Sequence, residues 1–197
     1  MHDLVMARQE NVFSRDMVLH EADGWLAAAI FQGARFTAQL DDQVDPSRPP
    51  LPWTAEQWSE FNATHSFHNE HLREVYEAYF FVCAVRQAMR WLTHVREYEP
   101  KLAADIDAFE SATPHLKDLR DMREHEDEYL SGEGKKDKRD DFLFLFAGMH
   151  LTASSVAVTG DDDYLLGGRV SLPKTIAALR KIKPIIAAAR ETDTVRQ

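Results

Sequence analysis

The chain has 197 residues, of which 44% are hydrophobic and 28% are charged, so it can bury one sizeable core, and we expect one domain over residues 1–197. Its formal net charge of -10 argues against broad, nonspecific adhesion to nucleic acid. The sequence has no run of about 18 apolar residues and no signal-peptide pattern, so we expect a cytoplasmic protein without a membrane span.

The first predicted element is a long helix over about residues 15–40, with Ser14 as its N-cap. Its apolar residues recur at helical spacing, and they are Val18, Ala22, Trp25, Leu26, Ala29, Ile30 and Phe36. The proline-rich stretch 41–52 cannot continue this helix. We interpret that stretch as a loop inside the domain.

A second long helix, or a pair of nearly continuous helices, is predicted up to about Tyr98. Thr54 and Gln57 form a capping-box signature before it. The aromatic residues of its apolar stripe lie in YEAYFF and RWL. They could stack on nucleobases, but aromatic residues at helical spacing are most often core, so we expect them to be buried.

A further helix is predicted to carry the most charged part of the chain. Pro100 ends the second helix, because proline cannot continue one. Thr113 and Pro114 then predict a restart, as N-cap and first helical residue. We expect the restarted helix to end at Gly132.

The pattern changes after about residue 142. Residues 153–160 and 164–172 are typical of two short strands joined by GDDD, whereas DFLFLFAGM is too short to assign between helix and strand. Pro173 opens a final helix, with a kink expected near Pro184. The expected fold class is mainly α: a helical bundle over about 15–131, then a small C-terminal β-hairpin and a final helix over about 142–190.

Cysteine and histidine suggest two further chemistries. Cys83 is the single cysteine and lies in an apolar run, so we expect an unreactive thiol in a reducing compartment. His65, His68 and His71 are spaced three apart, and a metal-binding helical bundle could use them. On a helix, however, the outer two diverge by about 120°, which favours solvated histidines. We therefore expect neither a metal nor a cofactor.

The segment LRDMREHEDEYLSGEGKK, residues 119–136, is the densest in charge. Asp121 lies four residues before His125, so its carboxylate can hold one imidazole nitrogen and leave the other available. Arg120 and His125 are separated by about 140° around a straight helix. They can act on one atom only if the helix bends or a symmetric partner supplies one of them.

The same residues also fit a charged, solvent-facing helix. In that interpretation acids and bases pair along the helix, and spacing alone favours it over an active site. The expected pairs are Arg120 with Glu124, Asp121 with His125, and Arg123 with Asp127.

The spacing of Arg120, Asp121 and His125 resembles the Arg-x4-6-His motif of the HEPN superfamily, in which a polar residue commonly follows the arginine. The resemblance covers about residues 18–130. It implies a small HEPN-like helical bundle, usually dimeric, with the motif on a late helix. Many members of that family are metal-independent endoribonucleases of toxin, antiviral-defence and RNA-processing systems.

The resemblance also implies roles for the three residues. His125 would act as general base or acid on the ribose 2′-hydroxyl or leaving oxygen, and Arg120 would stabilise the charge of the phosphorane. Asp121 would orient His125. Because the family's active site forms where two motifs meet, we expect a homodimer, with RNA as a partner and an antitoxin or other protein as another.

Glu126, Asp127 and Glu128 follow the motif and would repel a phosphate backbone unless they turn away. A noncatalytic HEPN-like nucleotide-binding or protein-interaction module is therefore the main alternative to a nuclease. The metal-binding helical bundle is the second alternative.

Overall fold

Two long antiparallel helices pack against each other at the centre of the fold. This computed structural model describes residues 13–42, 67–134, 142–146, 149–158 and 163–194. Helix α1 spans Arg15–Asp42 and helix α2 spans Phe67–Tyr98. Arg15 of α1 bonds Glu99 just beyond α2, whereas Arg35 pairs with Glu77 in the first half of α2. These contacts join the start of one helix to the end of the other.

The start of α1 follows the sequence prediction. The Ser14 hydroxyl oxygen accepts a hydrogen bond from the Met17 backbone N–H at 3.2 Å, which satisfies one of the amides that a helix leaves free at its start. The core-facing side of α1 is then formed by fully buried residues, which are Val18, Leu19, Ala22, Leu26, Ala29 and Phe36. The expected loop 41–52 and the Thr54 and Gln57 capping box lie almost entirely outside the described residues.

Three short helices follow α2. A 3-10 turn at Pro100–Leu102 leads into α3 at Ala103–Ala112, and α4 and α5 span Leu116–Glu124 and Glu126–Leu130. A helix restarts in this region as predicted, but it begins at Leu116, so the prediction of Thr113 as N-cap and Pro114 as first helical residue is wrong. The Thr113 hydroxyl donates to the Phe109 carbonyl at 3.0 Å and so closes α3, while His115, with a φ of 47°, is the residue before α4.

Two small antiparallel sheets occupy the C-terminal part. Strands β1, Leu143–Phe146, and β2, Met149–Thr152, pair with each other, so residues 143–146 and 149 of DFLFLFAGM are in strands. The predicted hairpin is confirmed, because β3 at Val156–Val158 pairs with β4 at Tyr164–Leu166, and β5 at Val170–Ser171 adds a third strand.

Helix α6, Leu172–Thr194, closes the fold by packing on α1 and α3. It begins one residue before Pro173 and runs through Pro184. Asp23 of α1 accepts hydrogen bonds from Lys183 at 2.9 Å and Arg190 at 2.8 Å. The buried core draws side chains from the helices and from the three-stranded sheet together, so the expected fold class, mainly α with a small C-terminal hairpin and a final helix, is confirmed. None of the helices in the described ranges is long and apolar enough to cross a membrane.

Candidate functional site

The charged segment is not one helix, because the chain breaks at His125. Helix α4 ends at Glu124, His125 has φ and ψ of -115° and 31°, and α5 begins at Glu126. The His125 backbone N–H still donates to the Asp121 carbonyl at 3.2 Å and so closes α4. The expectation of a helix from Thr113 to Gly132 is therefore wrong, and the bend lies inside the motif.

Both helices bury apolar side chains. Leu116, Leu119 and Met122 put one side of α4 into the core. Tyr129 of α5 is also buried and stacks on Phe142, with ring centroids 5.0 Å apart. On a straight helix Tyr129 would lie only about 20° from Met122 around the axis, so burial of these side chains does not by itself require the break.

Arg120 is held by two carboxylates of its own helix. Its guanidinium lies 2.5 Å from Glu124, as the spacing predicted, and 3.1 Å from Asp121. Burial opposes the positive charge, but these two acids outweigh it and raise the pKa of Arg120. The side chain is 36% exposed, so part of the guanidinium reaches solvent.

His125 pairs with Glu128 and not with Asp121. Its Nδ1 lies 2.9 Å from Glu128 Oε1, and the imidazole is 55% exposed. The predicted contact between the side chains of Asp121 and His125 is wrong, because His125 leaves the helical path while Asp121 turns to Arg120. Within the part of the chain that the structure describes, His125 Nε2 has no hydrogen-bond partner.

Arg123 is buried and bonds to backbone carbonyl groups of the C-terminal part. Its Nε donates to the Ala153 carbonyl at 2.9 Å and its Nη2 to the Ser154 carbonyl at 3.1 Å, while Nη1 is buried without a partner among the described residues. Burial lowers the pKa of Arg123 to about 10, so it keeps its charge at neutral pH. The predicted pair with Asp127 is wrong. Glu126 also turns to this region, accepting from the Ser154 hydroxyl at 2.8 Å.

A cavity of about 210 Å³ lies between α2 and α4. Three of its lining residues are arginines and two are acids, which leaves an excess of one positive charge. Arg86 and Arg90 make no ion pair with any residue that the structure describes. The lining residues are Cys83, Arg86, Gln87 and Arg90 of α2, with Arg120, Asp121 and Glu124 of α4.

Sequence reasoning missed Arg86 and Arg90. Their spacing of four places them on one side of α2, but only the contact with α4 brings them to Arg120. His125 does not line this cavity. The structure thus brings Arg120 and Asp121 of the motif together with Arg86 and Arg90 in one cavity. His125 lies at the bend that follows α4 and outside this cavity.

Cys83 lies at the wall of the cavity and is half-buried. Burial raises the pKa of its thiol, an effect that the hydrogen bond from Tyr79 only partly opposes. The thiol therefore stays protonated at neutral pH, and a protonated thiol is a poor nucleophile.

The aromatic stripe of α2 is divided between core and surface. Phe81 is fully buried, and Trp91 packs edge-on against Phe13 with ring centroids 5.4 Å apart. Tyr76 and Phe80, however, are 57% and 54% exposed. The expectation of burial is wrong for these two residues.

The histidine cluster stays a prediction. His65 lies outside the described residues, and the structure describes the backbone but not the side chains of His68 and His71. Among the residues that it does describe, no three His, Cys, Asp or Glu side chains are grouped to hold a metal ion.

No family model, no curated protein and no solved structure matches this chain. Membership of the HEPN superfamily therefore stays a prediction from the spacing of Arg120 and His125 and from the helical fold.

Proposed function

We propose that this chain is an HEPN-like, metal-independent endoribonuclease that uses Arg120 and His125. The observation that carries the proposal is where the side chains of Arg120 and His125 lie and how exposed they are. Arg120 opens onto a cavity with two arginines that lack ion-pair partners in the described residues, and His125 is exposed at the helix break with Nε2 free. A cation on an open cavity and an oriented imidazole are two groups that RNA cleavage requires.

In the proposed reaction His125 Nε2 removes the proton from a ribose 2′-hydroxyl, and the 2′-oxygen attacks the adjacent phosphorus. The bond from phosphorus to the 5′-oxygen breaks, that oxygen takes up a proton from water, and the protonated His125 returns its proton to water. The products are a 2′,3′-cyclic phosphate and a 5′-hydroxyl end. Arg120 stabilises the charge that develops on the phosphoryl oxygens.

Glu128 takes the orienting role that the family motif would give to Asp121. Its carboxylate holds Nδ1 of His125 at 2.9 Å, which leaves Nε2 as the reactive nitrogen. Asp121 instead holds Arg120 at 3.1 Å.

Because His125 does not line the cavity of Arg120, we further propose a homodimer in which the imidazole of one chain completes the site of the other. A cytoplasmic toxin or defence protein that acts on RNA, with an antitoxin or another protein as regulator, is the setting that fits this proposal.

Cleavage of a mixed RNA pool in EDTA tests the roles of Arg120 and His125. His125→Ala and Arg120→Ala should each abolish the formation of 2′,3′-cyclic phosphate ends while circular dichroism and thermal unfolding change little, because both side chains are partly exposed. His20→Ala is the control, since His20 is exposed on α1 outside the motif.

A matched pair of glutamates tests the role of Glu128. Glu97 makes a similar i,i+3 pair with His94, at 3.8 Å, on α2. Glu128→Gln should lower kcat, whereas Glu97→Gln should not. Cleavage that survives His125→Ala would overturn the assignment of that residue.

The noncatalytic alternative is favoured by one observation. Arg120 is engaged by two carboxylates and His125 by a third, which is also how a stable charged surface is built. Wild-type protein that binds RNA or a protein partner but cleaves no RNA would favour this module over the nuclease.

A further inference from the structure

We infer that one exposed side of α2 binds single-stranded RNA, with Tyr76 and Phe80 stacking on bases and Arg86 and Arg90 holding phosphates. We call this surface the α2 face. The inference rests on the proposed function for the choice of RNA, but it concerns binding and is tested separately from cleavage.

The spacing of these residues defines the face. Tyr76, Phe80, Cys83, Gln87 and Arg90 follow one another at steps of four and three residues, so they lie within about 80° of one another around the helix axis. Arg86 lies at the edge of this sector, about 40° beyond Arg90. From Tyr76 to Arg90 the face extends for roughly 21 Å.

The opposite side of α2 is the buried one, whereas this face borders solvent at its aromatic end and the cavity beside α4 at its arginine end. Phe81, Val82 and Val85 are fully buried. On the α2 face Tyr76 and Phe80 are more than half exposed, although large aromatic side chains are normally used to fill a core. Two exposed rings four residues apart on one helix form a surface on which unpaired bases can stack.

The aromatic residues are continuous with the arginine cavity. The rings of Phe80 and Tyr79 lie 6.1 Å apart between centroids, and the Tyr79 hydroxyl bonds to Cys83, which lines the cavity. Along the axis Phe80 and Arg86 are separated by roughly 9 Å. A flexible strand can therefore place a base on the rings and a neighbouring phosphate at the arginines.

The charges on the face favour a polyanion. The protein carries a net charge of -10, and Arg15, Arg35 and Arg96 each pair with acidic side chains. Arg86 and Arg90 have no such partners among the described residues. The acids of the cavity, Asp121 and Glu124, both belong to α4, so α2 contributes only positive charge to the cavity.

Single-stranded RNA fits this combination better than a duplex, because stacking requires bases that are not already paired. Electrostatic contact alone would bind any nucleic acid, but two exposed rings beside two unpaired arginines add a preference for unpaired strands.

The experiment measures binding of a 2′-O-methyl single-stranded oligonucleotide by fluorescence anisotropy in EDTA. This probe lacks the 2′-hydroxyl nucleophile and is not cleaved. We expect the double variant Arg86→Ala, Arg90→Ala to weaken binding at low salt by tenfold or more and to reduce the salt dependence of the affinity. Arg180→Ala is the control, because Arg180 is exposed on α6.

The rings are tested with conservative pairs. Phe80→Ala and Tyr76→Ala should each weaken binding by about tenfold with little change in salt dependence. Phe80→Trp should keep the affinity because it keeps a stacking surface, whereas Phe80→Leu should lose it although it stays apolar. Equal affinities of the Trp and Leu variants would overturn stacking.

Two further outcomes would overturn the inference. One is unchanged binding in the double arginine variant. The other is a change of oligomeric state in Tyr76→Ala or Phe80→Ala, measured by sedimentation, without a change in RNA affinity, which would make the face a protein interface. The probe cannot be cleaved, so binding by the wild-type protein can be measured whether or not the protein has nuclease activity.

Discussion

Glu74 is a half-buried carboxyl group on α2 within electrostatic reach of Arg123. Burial raises the pKa of Glu74 to about 7, and Arg123 only partly opposes the rise. In the unfolded chain the pKa of this carboxyl group is near its ordinary value of 4.5. Between these two pH values the folded state binds more protons than the unfolded state, so this group's contribution to stability falls as pH rises from about 4.5 and levels off above 7.

Measuring the free energy of unfolding at two pH values tests this contribution of Glu74. Glu74→Gln removes the ionisation, so the variant should be more stable than wild type by about 1–2 kcal/mol at pH 8 and nearly equal to it at pH 5. Urea denaturation gives both free energies of unfolding. Glu97→Gln, at a side chain that is 53% exposed, is the control and should show no such difference. A gain for Glu74→Gln that is the same at both pH values would contradict the mechanism.

At the scale of residues, the sequence predicted the contacts that depend on helical spacing alone. The pair of Arg120 and Glu124 formed because both lie in α4. Asp121 and His125 did not pair, since the chain leaves the helix at His125. Arg123 was assigned to the surface, but carbonyl groups 30 and 31 residues away hold it in the interior. Helical spacing relates only residues that are close in sequence, so it could not predict a contact with those carbonyls.

At the scale of elements, α1 contains two glycines in different surroundings. A Cβ atom at Gly33 would lie 2.8 Å from Ile176 of α6 and 2.9 Å from Phe81 of α2, so three helices meet there. A Cβ atom at Gly24 would meet nothing within 4 Å. Close approach of the helices therefore requires a glycine at Gly33 only.

These two positions give a matched pair of substitutions. Gly24→Ala should stabilise the protein by up to about 1 kcal/mol, because alanine is the better helix former. Gly33→Ala gains the same propensity, but the added methyl group displaces Ile176 and Phe81, and overpacking costs about 1–3 kcal/mol. We expect Gly33→Ala to be less stable than Gly24→Ala in thermal and urea unfolding. Equal stabilisation by both would show that the three helices separate easily.

Capping residues and apolar spacing predicted some boundaries of helices and strands correctly and others not. Ser14 capped α1 as predicted, since its hydroxyl oxygen accepts a hydrogen bond from the Met17 backbone N–H in the first turn. Thr113 carries the same kind of signal but bonds backward to Phe109, since α3 already ends there. The strand at Leu143–Phe146 could not be assigned from its period, because it is short and its assignment depends on pairing with β2.

At the scale of the whole molecule, the fold class was predictable because long helices repeat their apolar spacing many times. Residues 18–36 of α1 give that pattern without ambiguity. The arginine cavity was not predictable in this way. It depends on how α2 and α4 lie against each other, which brings Arg86 and Arg90 to Arg120 across more than 25 residues of sequence.

The proposed site also makes a prediction about assembly. Within one chain Arg120 and His125 are engaged by different carboxylates, and only Arg120 lines the cavity. We therefore expect each active site to take its arginine from one protomer and its histidine from the other. A mixture of Arg120→Ala and His125→Ala proteins then contains heterodimers in which one of the two sites carries both wild-type residues.

Mixing the two inactive variants after mild unfolding and joint refolding tests this assembly. At equal amounts half of the dimers are mixed, and one site in each is intact, so about one quarter of wild-type activity should return. Each variant refolded alone is the control and should stay inactive. If sites are built within one chain, every site in the mixture has a defect and no activity returns. Inactivity of mixed dimers whose formation has been verified, for example with differently tagged chains, would therefore exclude the shared site.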